Sequence, residues 1–542
     1  MNYILYSLLL VADDSMSFLS SESELRQICK IYEYFSKHYD VKFSYEKTIV
    51  HIFGDKKLLK RLREDEDLIT FDGNPLLYPT ESAHLGTVVH ENPYETNKAN
   101  IENRIKQTNK KLHNLLGSSI NANKILHHKL QKTAYCTYLK SSLISTLEQF
   151  PLNPGEMSRI SCYERSVIRN FFQLRKNATV DPLYLFLGQE PIECSLHRAV
   201  FSLFYNVWTC GKMKLTETAE ICKKFLNINL KMETWPQYIR RLCKLYKIQD
   251  PVELLEIDPP NSEVWRNYIK DRLQSYHEDK LKTKCNLMKI SPYLNINERY
   301  FSLGLDLRLK IPISKNDIRG VNLCIQHIIG EYPCGENINR RNREISKYCK
   351  LCLQRNIEVV ESSYHILSEC HTIWEDDTVL KQAEITNLVA SDALQKENEE
   401  LKEIFTLNKD IYVQFILDPL SPNLEKEMKL SLFSEKEAGP DKPVRNGTDL
   451  ASQSPIPTEP HPTNNQRVRK FLIESTKLIK FIDDRRKINL NIYFKEKKRR
   501  DALAVRSSKG SSGQQNLRQA AKGTRRITSY FNSNPAPNFF PS

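Results

Sequence analysis

The 542-residue chain contains no apolar run of the length that a bilayer crossing requires. Its one suggestive segment, Tyr3 to Ala12, follows Met1 without the basic stretch that opens a signal peptide, and it runs straight into Asp13 and Asp14. That segment reads as a buried strand, and the chain as a soluble protein without a membrane partner. Its 13 cysteines are odd in number and scattered, which argues against a disulfide framework. Such usage fits a reducing compartment, nuclear or cytoplasmic, with any special cysteines serving a metal. Glycine is sparse from 120 to 330, where helical pattern with polar breaks prevails, and no internal repeat is visible.

What is present is the composition of an ordinary soluble protein, 40% hydrophobic and 27% charged. The length suggests about two to four folded units. A net charge of +14 and a pI near 9.0 favour a polyanionic partner, of which nucleic acid is the commonest.

Residues 1–54 read as strand, turn, strand, helix, strand. Ser21 and Glu24 stand three apart as a capping box, and Leu25, Ile28, Tyr32 and Phe35 follow at helical spacing. Val41 to Phe53 reads as a strand pair around Tyr45–Lys47. Over 98–117, Ile101, Ile105, Leu112 and Leu115 form an apolar stripe. Arg104, Lys106, Lys110 and Lys111 lie on the other faces, as phosphate contacts or simply as a solvated surface. Residues 435–466 turn towards Pro, Ser, Thr, Asn and Glu, the composition of a disordered linker. A basic helix follows, about Arg467 to Asn491, and the residues from about Arg506 read as disordered.

Two constellations carry chemistry. Asp13 and Asp14 are adjacent carboxylates at the tip of an expected hairpin; they repel each other unless a hard cation such as Mg²⁺ lies between them. The plainer alternative is an acidic β-turn. The second is Cys349-x2-Cys352-x12-His365-x4-Cys370. Two thiolates on one turn and a His-x4-Cys on the next make a closed Cys₃His set for structural zinc, with no open catalytic position. His371 adjoins Cys370 and is a second candidate for the fourth ligand. Arg340, Arg341, Arg343, Lys347 and Lys350 crowd the neighbourhood, which suits phosphate contact, and Tyr348 is either a base-stacking or a core aromatic.

Several segments resemble, in the same order, the C-terminal portion of non-LTR (LINE-type) retrotransposon reverse transcriptases. Leu8-Leu-Leu-Val-Ala-Asp-Asp-Ser-Met-Ser-Phe is similar to the metal-binding hairpin, with Val11 where the family has tyrosine. Phe43-Ser-Tyr-Glu-Lys47 is similar to the Asn-x-x-Lys segment, with Ser44 for asparagine. His84-Leu85-Gly86 matches the Tyr-Leu-Gly of the primer grip, with His84 departing. Gln189 to His197, Ile328 to Pro333 and Glu361 to Cys370 resemble further family segments.

The resemblance implies an α+β fold with part of a reverse-transcriptase palm over 1–92 and a helical thumb over 93–215. A helical connector over 216–345 and a zinc-knuckle region over 346–433 would follow, then the linker over 434–466 and a basic helix and tail over 467–542. It implies RNA-directed DNA polymerisation with two Mg²⁺ ions, Asp13 the stronger ligand, Asp14 assisting, and Lys47 protonating the departing pyrophosphate. The partners implied are an RNA template and a DNA primer or target. Only 12 residues precede Asp13, so the upstream palm aspartate is not in this sequence, and the isolated chain is expected not to polymerise. A non-enzymatic, zinc-containing nucleic-acid-binding module, or a remnant without function, is the alternative.

Near the end, Lys495-Glu-Lys-Lys-Arg-Arg500 suits nuclear import or nonspecific nucleic-acid contact. Thr524 to Phe531 resembles a sliding-clamp docking box, with Ile527, Tyr530 and Phe531 as its apolar anchors and Thr524 in place of glutamine. Lys487 to Phe494 is a looser version that helix packing explains equally well.

Overall fold

A computed structural model describes residues 8–11, 14–53, 56–64, 69–117, 127–172, 174–212, 216–229, 231–287, 300–304, 306–310, 315–394, 409–417 and 464–508. The described chain is mostly helical. Its strands pair as three separate antiparallel ladders of two strands each, and among the described residues no larger sheet joins them. No described helix is long and apolar enough to cross a membrane. Two compact units interleave along the sequence. The first comprises 1–113, 138–161 and 195–269; the second comprises 114–137, 162–194 and 270–542.

In the first unit, β1 (Leu8–Val11) and β2 (Asp14–Ser17) form the expected hairpin, closed by the Val11–Asp14 pair. Asp14 therefore belongs to a strand, and Asp13 lies outside the described residues. Helix α1 (Glu22–Tyr39) starts where the capping residues predict. The Glu24 amide donates to Ser21 Oγ at 3.2 Å, but the Glu24 carboxylate reaches one residue further back, accepting from the Ser20 amide at 2.6 Å and its hydroxyl at 2.9 Å. Buried Leu25 and Cys29 of α1 pack with Leu62, Ile69, Phe71, Leu76 and Tyr78 as a small core.

The strand pair expected over 41–53 is absent. Tyr45–Lys47 form a 3₁₀ turn, and the segment's ladder contact is one parallel bridge, Ile49 to Leu77. The hydroxyl and the amide of Thr48 both donate to the Ser44 carbonyl, at 2.9 and 3.0 Å, which closes the turn against continued extension.

β5 and β6 of the chain order, here after the short pair β3 (Thr70–Phe71) and β4 (Asn74–Pro75), span Glu81–His84 and Thr87–His90. Their tip residues Leu85 and Gly86 both have positive φ, 47° and 78°, as a two-residue hairpin turn of right-handed twist demands. Helix α2 (Pro93–Gly117) carries that hairpin. Asn100, fully buried, accepts from the Val88 amide at 2.8 Å and donates to the Val88 carbonyl at 2.7 Å.

In the second unit, buried Glu164 accepts from Tyr135 Oη at 2.6 Å, Tyr184 Oη at 2.7 Å and the Ile192 amide at 2.9 Å. Three donors on one carboxylate satisfy its buried charge and fix three separate segments. The larger core is organised by a 45-residue helix, α5 (Asn464–Ser508), packed along α3 (Lys315–Ile328) and α4 (Asp377–Leu394). Phe471, Leu478, Ile479, Ile482 and Leu490 join that core, and Phe494 packs against it. Helix packing therefore accounts for Leu490 and Phe494 of the looser docking-box pattern.

Two expectations follow. At the α3–α5 crossing, a Cβ on Gly320 would stand 2.4 Å from the Thr476 carbonyl oxygen, so Gly320→Ala must push the helices apart. We expect a loss of about 2 kcal/mol or more, read from the urea midpoint; an unchanged midpoint would contradict the close packing. Burial also lowers the pKa of His128 to about 4 and that of His327 to about 3. Unfolded histidine titrates near 6.5, so the unfolded chain binds protons that the folded unit refuses, and stability falls as pH drops from about 6.5 towards those values. Replacing His128 with Gln should flatten the dependence of the urea midpoint on pH in that window.

Candidate metal centre

Between Tyr348 and Trp374 the backbone has little regular structure. Tyr348 and Val360 form one antiparallel bridge, and the Cys349 amide donates to the Val359 carbonyl at 2.8 Å. A single helical turn, Lys350–Leu353, places Cys352 one turn beyond Cys349. The chain then reverses through Asn356, whose φ of 58° is in the left-handed region that asparagine tolerates best after glycine. The amides of Arg355 and Ile357 both donate to the Cys352 carbonyl, at 2.9 and 3.1 Å. On the return, the His365 amide is held by Ser362 Oγ at 3.0 Å, and a π-helical turn over His365–Glu369 delivers Cys370. Arg355 and Glu375, which follow the two halves of the motif, pair in parallel fashion at 2.7 and 2.5 Å and bracket it from outside.

The turns bring Cys349, Cys352, His365 and Cys370 together, all buried, with their ligand atoms within 4.8 Å of one another. Cys349 Sγ and Cys370 Sγ are 3.9 Å apart, Cys352 Sγ and Cys370 Sγ also 3.9 Å, and Cys352 Sγ and His365 Nε2 3.3 Å. A tetrahedral zinc ion, with bonds of about 2.3 Å to sulfur and about 2.0 Å to nitrogen, sets sulfurs about 3.8 Å apart and sulfur and nitrogen about 3.5 Å apart. The four side chains can thus hold a metal ion with little movement. His371 is exposed and outside the cluster, so Cys370 is the residue placed to be the fourth ligand.

The electrostatics favour a cation. Hydrogen bonding from Cys370 outweighs burial and lowers the Cys349 thiol to about 4. Burial pushes the Cys352 thiol up to about 11, and the Cys349 sulfur together with burial pushes Cys370 up. Close thiolates repel, and a divalent ion is what lets all three ionise together. Buried His365 Nδ1 lacks a hydrogen-bond acceptor, with Glu369 Oε2 at 3.8 Å the carboxylate nearest to that role. A histidine that ligates through Nε2 gains basicity when such a carboxylate accepts from Nδ1.

The other expected site residues are more scattered. Lys47 is exposed on its turn. Lys106, Lys110 and Lys111 are exposed on α2, but Arg104 is a correction to the solvent-facing expectation. It is buried, donating from Nη2 to the Gly86 carbonyl at 2.5 Å and to Thr146 Oγ1 at 2.8 Å. A hairpin tip whose carbonyl needs a donor has drawn the guanidinium inward. His84 ends β5, with Leu85 and Gly86 at the turn. Arg340 donates to the Gly330 carbonyl at 3.2 Å, and Arg341 pairs with Glu331. Arg343 and Lys347 are exposed beside the metal loop. Ile527, Tyr530 and Phe531 lie outside the described residues.

Sequence reasoning missed the group that ties this loop to α5. Glu361, buried in the motif, accepts from the Gly335 amide at 2.6 Å and from Arg486 Nε at 3.1 Å. Arg486, also buried, donates to the Pro333 carbonyl at 3.0 Å, and Tyr332 Oη donates to Asp483 at 2.8 Å. Glu361 stands four residues before the histidine ligand and Arg486 in a basic helix; nothing in their spacing joins them.

The purified chain is expected to carry one zinc ion, read by elemental analysis. Cys352→Ser or Cys370→Ser should abolish it and lower thermal stability, whereas His371→Ala should leave the metal content unchanged. Loss of metal in His371→Ala would overturn the ligand assignment. No protein-family model matches the chain, and no curated protein or solved structure is found to match it.

Proposed function

We propose that this chain is the C-terminal portion of a LINE-type RNA-directed DNA polymerase, and that its Cys₃His centre binds a structural zinc ion that shapes a nucleic-acid-holding surface. The observation that carries the reading is the convergence of Cys349, Cys352, His365 and Cys370, within 4.8 Å, on the stretch whose sequence resembles the family's knuckle. Three thiolates and one imidazole form a set that selects zinc and closes its coordination, so the ion organises backbone instead of reacting. Exposed Arg343 and Lys347 beside the loop then face solvent with charge for phosphates.

The polymerase part of the reading rests on the order of the family segments and on two hairpins that suit it. The paired strands Leu8–Val11 and Asp14–Ser17 flank the sequence position of Asp13, and Asp13 and Asp14 are the candidate ligands for Mg²⁺ by resemblance. The hairpin at 81–90 presents Leu85 and Gly86 as a primer contact, propped on α2 by Asn100 and Arg104. Lys47, exposed, is the candidate acid for pyrophosphate. The second reading, a zinc-containing binding module without catalysis, is favoured by the closed donor set and the +14 net charge.

Binding of labelled RNA and DNA oligonucleotides, followed by anisotropy from about 50 to about 200 mM salt, should weaken steeply. Replacing Arg340, Arg343 and Lys347 with Ala should flatten the slope of log affinity on log salt by about 2. Binding indifferent to salt, or to these substitutions, would remove the surface from the proposal. The isolated chain is expected to give no primer extension under either reading, and extension that disappears when Asp13 and Asp14 become Ala would overturn that expectation.

A further inference from the structure

The C-terminal third of α5 differs from the rest of that helix. Up to Leu490 one side is continuously buried, and Phe494 makes the last contact with the core. From Lys495 to Ala502 every residue is exposed. This stretch carries Lys495, Lys497, Lys498, Arg499 and Arg500 against Glu496 and Asp501. The helical backbone continues to Ser508, so an arm of about 27 Å runs on from Asn491. Its cations point all round the helix axis. Lys495 and Arg499 continue, at i, i+4, i+7 and i+11, the face that exposed Ile488 and Ile492 begin, and Lys497 and Arg500 lie on the other side.

The root of the arm is rigid. Arg486 is locked by Glu361 at 3.1 Å and by the Pro333 carbonyl at 3.0 Å, and neighbouring Asp483 receives Tyr332 Oη and Lys487 Nζ at 2.8 and 2.7 Å. The helix also touches the turn Lys350–Leu353 that bears Cys352. Five cations against two carboxylates from Lys495 to Asp501, on an exposed helical rod, call for a polyanion.

We propose that residues Asn491–Ser508 form a DNA-binding arm that enters the major groove of a B-form duplex, held at a fixed angle by the Arg486–Glu361 clasp. An α-helix with side chains is about 10–12 Å across and that groove about 12 Å wide, so cations on opposite sides of one helix reach phosphates on both walls. A membrane surface fits worse. An interfacial helix needs a continuous apolar face, and the described residues from Lys495 to Asp501 offer none. A-form RNA also fits worse, because its major groove is too deep and narrow to admit the arm. The inference rests on the reading of the chain as a nucleic-acid-binding protein but uses a surface separate from Arg340, Arg343 and Lys347.

The test uses the full chain with a DNA duplex of about 20 base pairs, an RNA duplex of equal length, and vesicles containing phosphatidylserine. Replacing Lys495, Lys497, Lys498, Arg499 and Arg500 with Ala should weaken DNA-duplex binding about 100-fold at moderate salt and flatten the salt slope by about 4. Zinc content should stay unchanged. Asn491→Pro, which keeps every cation but breaks the rod, should lose most of the same affinity. The proposal is overturned by unchanged DNA affinity in the charge variant, by full affinity in Asn491→Pro, by an equal loss on the RNA duplex, or by vesicle binding that exceeds duplex binding. If the Arg340, Arg343 and Lys347 variant loses nucleic acid while the arm variant does not, the arm fails and the metal-centre surface stands; the reverse outcome separates them the other way.

Discussion

The position of the metal loop depends on one buried ion pair. Between Cys349 and Cys370 the backbone offers a single bridge and two short helical turns, too little to fix four ligand side chains alone. Glu361 supplies the missing anchor. Its amide donates to the Lys347 carbonyl, its carbonyl accepts from Glu336, and its carboxylate bridges the Gly335 amide and Arg486. Taking both charges out of water is costly, and the pair persists because each remaining valence is met by protein. Breaking such a pair by removing one partner typically costs about 3–5 kcal/mol, since the survivor is left charged and buried. The loop and the long helix are in that sense one structural element, although their residues stand more than a hundred positions apart.

The same helix explains why this unit tolerates so many polar groups inside. Asp483 collects Tyr332, Lys487 and Arg319; His327 stacks on Tyr332 with ring centres 3.7 Å apart, and burial, helped by the charge of Arg486, lowers its pKa. Gly320 lets α3 come close enough to α5 for these groups to meet. A partly satisfied network here would be worse than an apolar core, so packing and polar pairing have to be achieved together.

How much of this was legible in the sequence follows from the range of each interaction. The hairpin at 8–17, the start of α1 at Ser21 and the helix carrying Ile101, Ile105, Leu112 and Leu115 are set by neighbours a few residues away, and period and capping chemistry announce them. The four candidate metal ligands were legible because a set able to coordinate an ion needs fixed spacings within each half-site. The segment 41–53 misled, because alternation alone does not reveal that Ser44 and Thr48 close a turn. The basic helix was read as 467–491 but runs from Asn464 to Ser508, since cations with few apolar partners give no periodic signal for its last turns. Arg104 misled for a different reason. A stripe shows which face is apolar, yet it cannot show that a hairpin tip eighteen residues upstream will need a donor.

Charge teaches the same lesson more sharply. A surplus of +14 says only that some polyanion is favoured. The structure sorts the cations into two populations. Arg104, Arg486 and Arg341 are engaged by carbonyls and carboxylates of their own chain, and such groups have little left to offer a phosphate. Arg343, Lys347 and the cations from Lys495 to Arg500 face solvent. The engaged population fixes the directions in which the free-facing population points, because Arg486 anchors both the loop that precedes one group and the helix that bears the other. A flexible tail of equal charge would attract nucleic acid as strongly at long range, where only net charge counts. A clasped helix adds orientation, and orientation is what distinguishes a groove from a bare row of phosphates.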